Sequence, residues 1–130
     1  EHQAGLALDL YVPQFGGWAF TKSAAGRFVD TNCRDYGFIV RYPSYGEKQT
    51  GIPYEPWHLR YVGLPHSQII MDEYLTLEEY IDLLKPGSFY QYGSYLISHQ
   101  NGRVIDAPSG WKHVTVSEDN LGGYLFTWEL

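Results

Sequence analysis

The sequence predicts an α+β domain followed by a small antiparallel β appendage. Residues 6–12 alternate apolar and polar side chains, which is typical of a half-buried strand. Thr76 and Glu79 have the spacing of a helical capping box and predict a helix through residue 84. From residue 88 onward, short strand-like runs alternate with turn residues, including the hairpin signal Asn101-Gly102. We therefore predict a core over residues 1–87 and an appendage over residues 88–130.

The remaining elements follow from the same periodicities. A helix is predicted over residues 23–36, with Phe28, Thr31 and Cys33 facing inward and Gly37 at its end. The rest of the core is predicted as a strand at 38–42, a polar turn at 44–51, a strand at 54–62 and a helix at 65–74. The strands predicted in the appendage are 95–98, 103–105, 113–116 and 124–127.

Composition excludes several classes of protein. The net charge is −6 and no basic patch is present, so a nucleic acid partner is not expected. No apolar run approaches the roughly 18 residues of a membrane span. The single cysteine, Cys33, excludes an intrachain disulfide and a cysteine-rich zinc site, and we expect it to be buried. The twelve tyrosines and four tryptophans suit either a carbohydrate or peptide groove or ordinary β packing.

Two histidines and two acidic residues form a candidate zinc site. His2, Asp9 and His58 supply nitrogen and oxygen ligands, and three protein ligands leave a fourth position open for water. Glu55 precedes His58 by three residues and could accept a proton from that water. These four residues therefore predict catalytic chemistry, although their spacing also permits a chance grouping without metal.

Two residues make the candidate geometry feasible. Gly5 provides the freedom for a bend that returns His2 to Asp9. Pro56 interrupts regular strand alternation and can redirect Glu55 toward the metal. Surface positions or hydrogen-bonding roles are expected for the other histidines, His66, His99 and His113.

The complete strings around these residues resemble a known family. Residues 1–9, Glu-His-Gln-Ala-Gly-Leu-Ala-Leu-Asp, resemble the Ser-x-His-x-x-Gly-x-Ala-x-Asp motif of VanY-type zinc D,D-carboxypeptidases from its second position onward. Residues 55–63, Glu-Pro-Trp-His-Leu-Arg-Tyr-Val-Gly, look like the Glu-x-Trp-His motif of that family with its usual continuation. Residues 36–43, 50–54 and 77–81 are also similar, so the resemblance covers roughly residues 1–85.

The resemblance implies a Hedgehog/D,D-peptidase-like α+β fold in which a small antiparallel sheet holds the zinc. By motif position, the implied zinc ligands are His2, Asp9 and His58, and the implied general base is Glu55. Trp57 and Arg60 are motif members from which packing or ion-pair support is expected.

The implied activity is hydrolysis of the terminal D-Ala from peptidoglycan stem peptides ending in D-Ala-D-Ala, as in antibiotic resistance. The bacterial envelope or the extracellular space is the implied location. A D,D-dipeptidase and an L,D-carboxypeptidase are alternatives within the fold. A non-catalytic, zinc-stabilised wall-binding module is a third alternative, but a purely structural zinc site needs no base such as Glu55. The fourth alternative is an antiparallel β structure in which these residues only pack together and bind no metal.

The sequence departs from the family pattern at its beginning. The leading Ser of the motif would precede Glu1, as would the upstream region in which the family binds the carboxylate of the substrate. We therefore expect a longer native enzyme, whose missing part was cleaved or is supplied by a separate partner chain. The substrate-binding residues remain unassigned.

Overall fold

The computed structural model describes residues 1–102, 104–119 and 121–130, and its helices and antiparallel strands confirm the predicted α+β class. The chain forms two compact units, Glu1–Tyr80 and Ile81–Leu130. The boundary predicted between residues 87 and 88 stays a prediction about domain organisation. No helix among the described residues is long and apolar enough to cross a membrane.

The first unit contains a three-stranded antiparallel sheet in the order β1-β3-β2. Its strands are β1 (Ala7–Asp9), β2 (Phe38–Tyr42) and β3 (Glu55–Tyr61). Its helices are α1 (Ala24–Asn32), α2 (Glu47–Thr50) and α3 (His66–Asp72), with 3-10 turns at Gly17–Lys22 and Cys33–Tyr36. A further helix, α4 (Leu77–Leu83), begins in this unit and continues past its last residue, Tyr80. The predicted polar turn at 44–51 is corrected, since it contains α2. The strand predicted over 6–12 is shorter, because only Ala7–Asp9 pair with β3.

The capping box predicted for α4 is present. The Glu79 amide donates to Thr76 Oγ1 at 3.2 Å, and the Thr76 amide donates to Glu79 Oε2 at 2.8 Å. These reciprocal bonds satisfy two backbone donors that have no partner within the helix. The local sequence signal was therefore sufficient to fix where α4 begins.

Cys33 lies in the core of the first unit with Val40 and Leu59, and Val29 packs against them. Burial raises the pKa of the Cys33 thiol to about 11, so the thiol stays protonated and is a poor nucleophile at neutral pH. The inward orientation predicted for Phe28 and Thr31 is wrong, since both are exposed. Val29 precedes Cys33 by four residues and therefore shares its helical face, whereas Phe28 does not.

His66 on α3 gives the first unit a specific pH dependence. It is buried, its Nδ1 lies 2.7 Å from the Tyr80 hydroxyl, and burial lowers its pKa to about 4. In the unfolded chain the imidazole of His66 takes up a proton near pH 6.5, whereas in the folded protein it does so only near pH 4. The stability that the neutral imidazole contributes is therefore complete above pH 6.5 and is lost as the pH falls toward 4. We expect about 3 kcal/mol of unfolding free energy to disappear across this window.

Urea unfolding of the wild type and of His66→Gln between pH 7.5 and 4 measures this effect. The difference in unfolding free energy between the two proteins should shrink as the pH falls, because the variant has no imidazole to charge. A difference that stays constant from pH 7.5 to 4 would contradict the role of His66.

The second unit is a four-stranded antiparallel sheet in the order β4-β5-β7-β6. Its strands are β4 (Phe89–Tyr92), β5 (Tyr95–Gln100), β6 (Lys112–Glu118) and β7 (Tyr124–Glu129). Ile97, Phe126 and Trp128 are buried, and the last two rings stack with centroids 5.6 Å apart. The predicted antiparallel appendage is thus a complete sheet.

Two predictions in this unit are corrected. The first hairpin turns at Gly93-Ser94, where Tyr92 pairs with Tyr95, and its strand β4 was not predicted. The Asn101-Gly102 signal does not start a hairpin. Arg103, in the predicted strand 103–105, lies outside the described residues, and the two residues after it form no strand. Instead, the Gln100 side-chain amide pairs with both backbone groups of Asp106, at 2.9 and 2.8 Å, and holds this segment.

His99 has the hydrogen-bonding role predicted for it, with a carboxylate partner that the sequence did not indicate. Its Nε2 lies 2.7 Å from Asp119 Oδ2, and its Nδ1 lies 2.9 Å from the Leu84 carbonyl oxygen. Asp119 Oδ1 accepts from the amides of Leu121 and Gly123. The pair therefore connects β5 to the turn between β6 and β7, a structural task.

Candidate metal centre

The pairing of β1 with β3 places Asp9 directly opposite His58. Opposite residues of an antiparallel pair share one face of the sheet. Asp9 Oδ1 accordingly lies 3.5 Å from His58 Nδ1. Immediately beyond this pair, the Leu10 amide donates to the Trp57 carbonyl at 2.9 Å, which extends the contact between the two chain segments. The backbone of the sheet thus determines the separation of these two side chains.

A tight turn returns His2 to the same place. Gly5 donates its amide to the His2 carbonyl at 3.0 Å and has a φ of +70°, in the left-handed region that favours glycine. His2 Nδ1 donates to the Ala7 carbonyl at 3.2 Å, and His2 Nε2 lies 3.5 Å from Asp9 Oδ1. The bend expected at Gly5 is therefore the one that brings His2 to Asp9.

Glu55 reaches His58 because β3 is irregular between them. Residues three apart in a regular strand face opposite sides of the sheet. Here Val40 pairs with Leu59 but Tyr42 pairs with Glu55, so β3 has extra residues in this interval. Pro56, which lacks an amide proton for strand pairing, lies in it. The irregularity is of the β-bulge type and leaves Glu55 Oε2 3.3 Å from His58 Nδ1.

The donor set and its spacing fit zinc. One ligand atom from each of His2, Asp9 and His58 lies within 4.8 Å of the others. Tetrahedral zinc with bonds of 2.0–2.2 Å would separate its ligand atoms by about 3.4 Å, close to the two 3.5 Å distances to Asp9 Oδ1. Two imidazoles and one carboxylate are also a known catalytic zinc set. Within the described ranges, no second group of three such side chains is this close.

His58 Nε2, the ring nitrogen on the side away from Asp9 and Glu55, faces a network of charged side chains. Most of this network was not predicted from the sequence. Glu1 Oε1 accepts from His58 Nε2 at 2.8 Å, and Glu1 Oε2 accepts from Arg60 and, at 3.3 Å, from Arg41. Arg41 also donates two bonds to Glu78, at 3.1 and 2.6 Å. Of the four residues behind His58 in this network, the sequence indicates a supporting role for Arg60 alone and none for Glu1, Arg41 or Glu78. The sequence signal for this network is Arg41, which lies within the apolar run 38–42. An arginine shielded from water needs a carboxylate partner, so its position predicts a nearby acidic side chain.

Competing effects act on the Glu1 carboxyl. Burial alone would raise its pKa, but hydrogen bonds from Arg60 and His58 and the charge of Arg41 outweigh burial and hold the pKa below its ordinary value. Glu1 is therefore ionised at neutral pH and can only accept hydrogen bonds.

Two further side chains border the site. The Tyr42 ring meets the His58 ring edge-on, with centroids 4.9 Å apart, and this contact restricts the imidazole. Trp57, the other predicted support residue, is partly buried on β3 and contributes its backbone carbonyl to the pairing with the chain after β1. Arg60 provides the ion-pair contact expected of it, through Glu1.

The chain is similar to known carboxypeptidases of bacteria. Residues 1–64 match the family model of VanY, D-alanyl-D-alanine carboxypeptidase. A D-alanyl-D-alanine carboxypeptidase of Enterococcus faecium is 37% identical over 98% of this chain and 43% of its own length. The bifunctional D-Ala-D-Ala dipeptidase and D-Ala-D-Ala carboxypeptidase VanXYC of Enterococcus gallinarum is 48% identical over 65% of this chain and 47% of its own.

Two solved structures of bacterial peptidases are also similar to this chain. The D,D-dipeptidase VanXYg, in complex with a D-Ala-D-Ala phosphinate analog, superposes with a TM-score of 0.82 at 29% identity, covering 100% of this chain and 58% of that one. The D,D-pentapeptidase VanY of a VanB-type cassette, an E175A mutant in complex with Zn(II), has a TM-score of 0.53 at 39% identity, over 62% of this chain and 44% of that one.

The chain spans a little under half the length of the two enterococcal relatives. The matched residues 1–64 include both motifs, at 1–9 and 55–63, and the sheet that joins them. Residues 1–64 of the chain therefore belong to the VanY family of D-alanyl-D-alanine carboxypeptidases.

Proposed function

We propose that this protein is a zinc metallopeptidase that removes the terminal D-Ala from peptidoglycan stem peptides ending in D-Ala-D-Ala. The observation that supports this most directly is the convergence of His2, Asp9 and His58 with the Glu55 carboxylate, 3.3 Å from His58 Nδ1. Family membership gives independent support. Since relatives of this kind act on the bacterial cell wall, the cell envelope or the outside of the cell is the proposed location.

In this proposal the chain holds zinc through His2 Nε2, Asp9 Oδ1 and His58 Nδ1. When bound, zinc polarises the peptide carbonyl and lowers the pKa of water to about 7. A Zn(II) complex of a VanY structure supports this choice of metal. The open side of the cluster is accessible, because the His2 and Asp9 side chains are 48% and 56% exposed.

Glu55 is the proposed general base. Its Oε2 accepts a proton from the attacking water as the new C–O bond forms, and delivers that proton to the amine of the departing D-Ala as the C–N bond breaks. The side chain is 29% exposed, so it can be reached by a substrate while remaining close to the metal ligands. The Glu55 carboxylate is therefore unprotonated again at the end of the catalytic cycle.

A D,D-dipeptidase is the second candidate, because the D,D-dipeptidase VanXYg covers the whole of this chain with a TM-score of 0.82. An L,D-carboxypeptidase requires the same hydrolytic groups and differs only in the substrate. A non-catalytic wall-binding module would give no reason for Glu55 to lie beside the ligands.

D-Ala release by the purified protein that carries this chain tests the proposal. The substrates are a stem pentapeptide ending in D-Ala-D-Ala, the free D-Ala-D-Ala dipeptide and a tetrapeptide with an L,D bond. We expect release from the pentapeptide, loss of release after chelation, and recovery with one equivalent of zinc. Preference for the dipeptide or the tetrapeptide would select the corresponding alternative, and zinc-independent release would contradict the metal mechanism.

A further inference from the structure

We propose that Glu1 is a positioning residue that fixes the tautomer and ring orientation of His58, so that Nδ1 is the nitrogen presented to the metal. This inference rests on the proposed zinc site. The two nitrogens of His58 face different partners: Nδ1 lies near Asp9 and Glu55, whereas Nε2 lies 2.8 Å from Glu1 Oε1.

The protonation of His58 follows from its partner. Glu1 Oε2 accepts from Arg60 and Arg41, which leaves Oε1 as the acceptor for an N–H at His58 Nε2, 2.8 Å away. An imidazole that binds a metal through Nδ1 carries its single N–H on Nε2, the atom that faces Glu1. His58 Nδ1 faces Asp9 and Glu55, on the side of the ring where the candidate ligand atoms lie. Carboxylate–imidazole–metal arrangements of this kind strengthen metal binding.

Glu1 is itself held in place by two arginines. Arg60 and Arg41 both donate to Oε2, which leaves Oε1 for His58. The side chains of both arginines are shielded, with exposures of 15% and 12%. Charge-assisted bonds between shielded groups are stronger than those at an open surface. If Glu1 turned away from the imidazole, Arg60 would lose this carboxylate and Arg41 would keep only Glu78.

His2 has the complementary arrangement with a neutral acceptor. Its Nδ1 donates to the Ala7 carbonyl, so its Nε2 faces Asp9. The two histidines thus present different nitrogens to one place, and each is determined by the acceptor behind it. His58 has a side-chain carboxylate as its acceptor, whereas His2 has a backbone carbonyl, and we expect the larger effect on metal affinity at His58.

The test compares zinc affinity in the wild type, Glu1→Gln and Glu78→Gln, by competition with a chromophoric chelator. Glu1→Gln removes the charge beside His58 and should weaken zinc binding by about 10- to 100-fold. Glu78→Gln is the matched control, since it disturbs Arg41 in the same network without touching the imidazole. Arg60 and Arg41 still have Glu1 as a partner in this control, so it should change the zinc Kd by less than about threefold.

Long-range ¹⁵N–¹H correlation spectra of the zinc-loaded wild type provide the readout that a merely structural role would not affect. We expect His58 to show a protonated Nε2 and a metal-bound Nδ1. A protonated Nδ1, or a zinc Kd for Glu1→Gln within about twofold of the wild type, would overturn the role of Glu1. A wild type that binds no zinc would instead remove the proposed function itself.

Discussion

Glu55→Gln is expected to lower kcat by about 10²- to 10⁴-fold while the zinc content stays near one equivalent, because the amide retains the shape of the side chain but cannot accept the proton. Glu55 lies 3.3 Å from His58 Nδ1 but outside the three-residue ligand cluster. Its loss should therefore separate proton transfer from metal binding. Turnover of a D-Ala-D-Ala pentapeptide and metal analysis of the same preparation measure the two properties.

Glu47→Gln is the matched control for this variant, since Glu47 is an exposed carboxylate on α2. It should match the wild type in kcat and in zinc content. The assignment of Glu55 as the base fails if Glu55→Gln retains kcat. If Glu55→Gln instead loses its zinc, Glu55 is a ligand and the proton acceptor must be sought elsewhere.

His58→Ala is expected to abolish stoichiometric zinc binding. The substitution removes the one ligand that is both buried and opposite Asp9 in the sheet. It also leaves Glu1 without its imidazole partner. Two remaining ligands do not hold zinc at the affinity of a three-ligand catalytic site. Metal analysis after dialysis should give about one equivalent for the wild type and far less for the variant.

His113→Ala is the control, because His113 is exposed on β6 in the second unit. It should retain its zinc. Circular dichroism of the metal-free proteins shows whether His58→Ala still folds, and the comparison of zinc content is valid where it does. A folded His58→Ala with a full equivalent of zinc would exclude His58 as a ligand.

Parts of the fold that depend on neighbouring residues could be predicted from the sequence. The capping box of α4 and the strand Phe38–Tyr42 follow from patterns only a few residues long. The inward face of α1 follows from the four-residue spacing between Val29 and Cys33, which leaves Phe28 and Thr31 on the exposed face. Periodicity was sufficient in these elements when the correct phase was used.

Features that depend on distant residues could not be predicted in the same way. The bonds from Glu1 to Arg41 and Arg60 join residues 40 and 59 positions apart, and no local pattern encodes them. The Asn101-Gly102 signal failed for a similar reason: the Gln100 side chain takes up both backbone groups of Asp106. A two-residue turn propensity is weak against two well-formed hydrogen bonds.

The shortness of strand β1 couples metal binding to the stability of the sheet edge that β1 forms. β1 pairs with β3 through only three residues and is the edge of its sheet, and it carries Asp9 directly after the turn that contains His2. Local opening of this edge would withdraw two ligands together, whereas His58 and Glu55 would remain on β3. Zinc binding and docking of the first nine residues are then one linked equilibrium, in which free zinc at 100 times its Kd would hold the edge closed by about 2.7 kcal/mol.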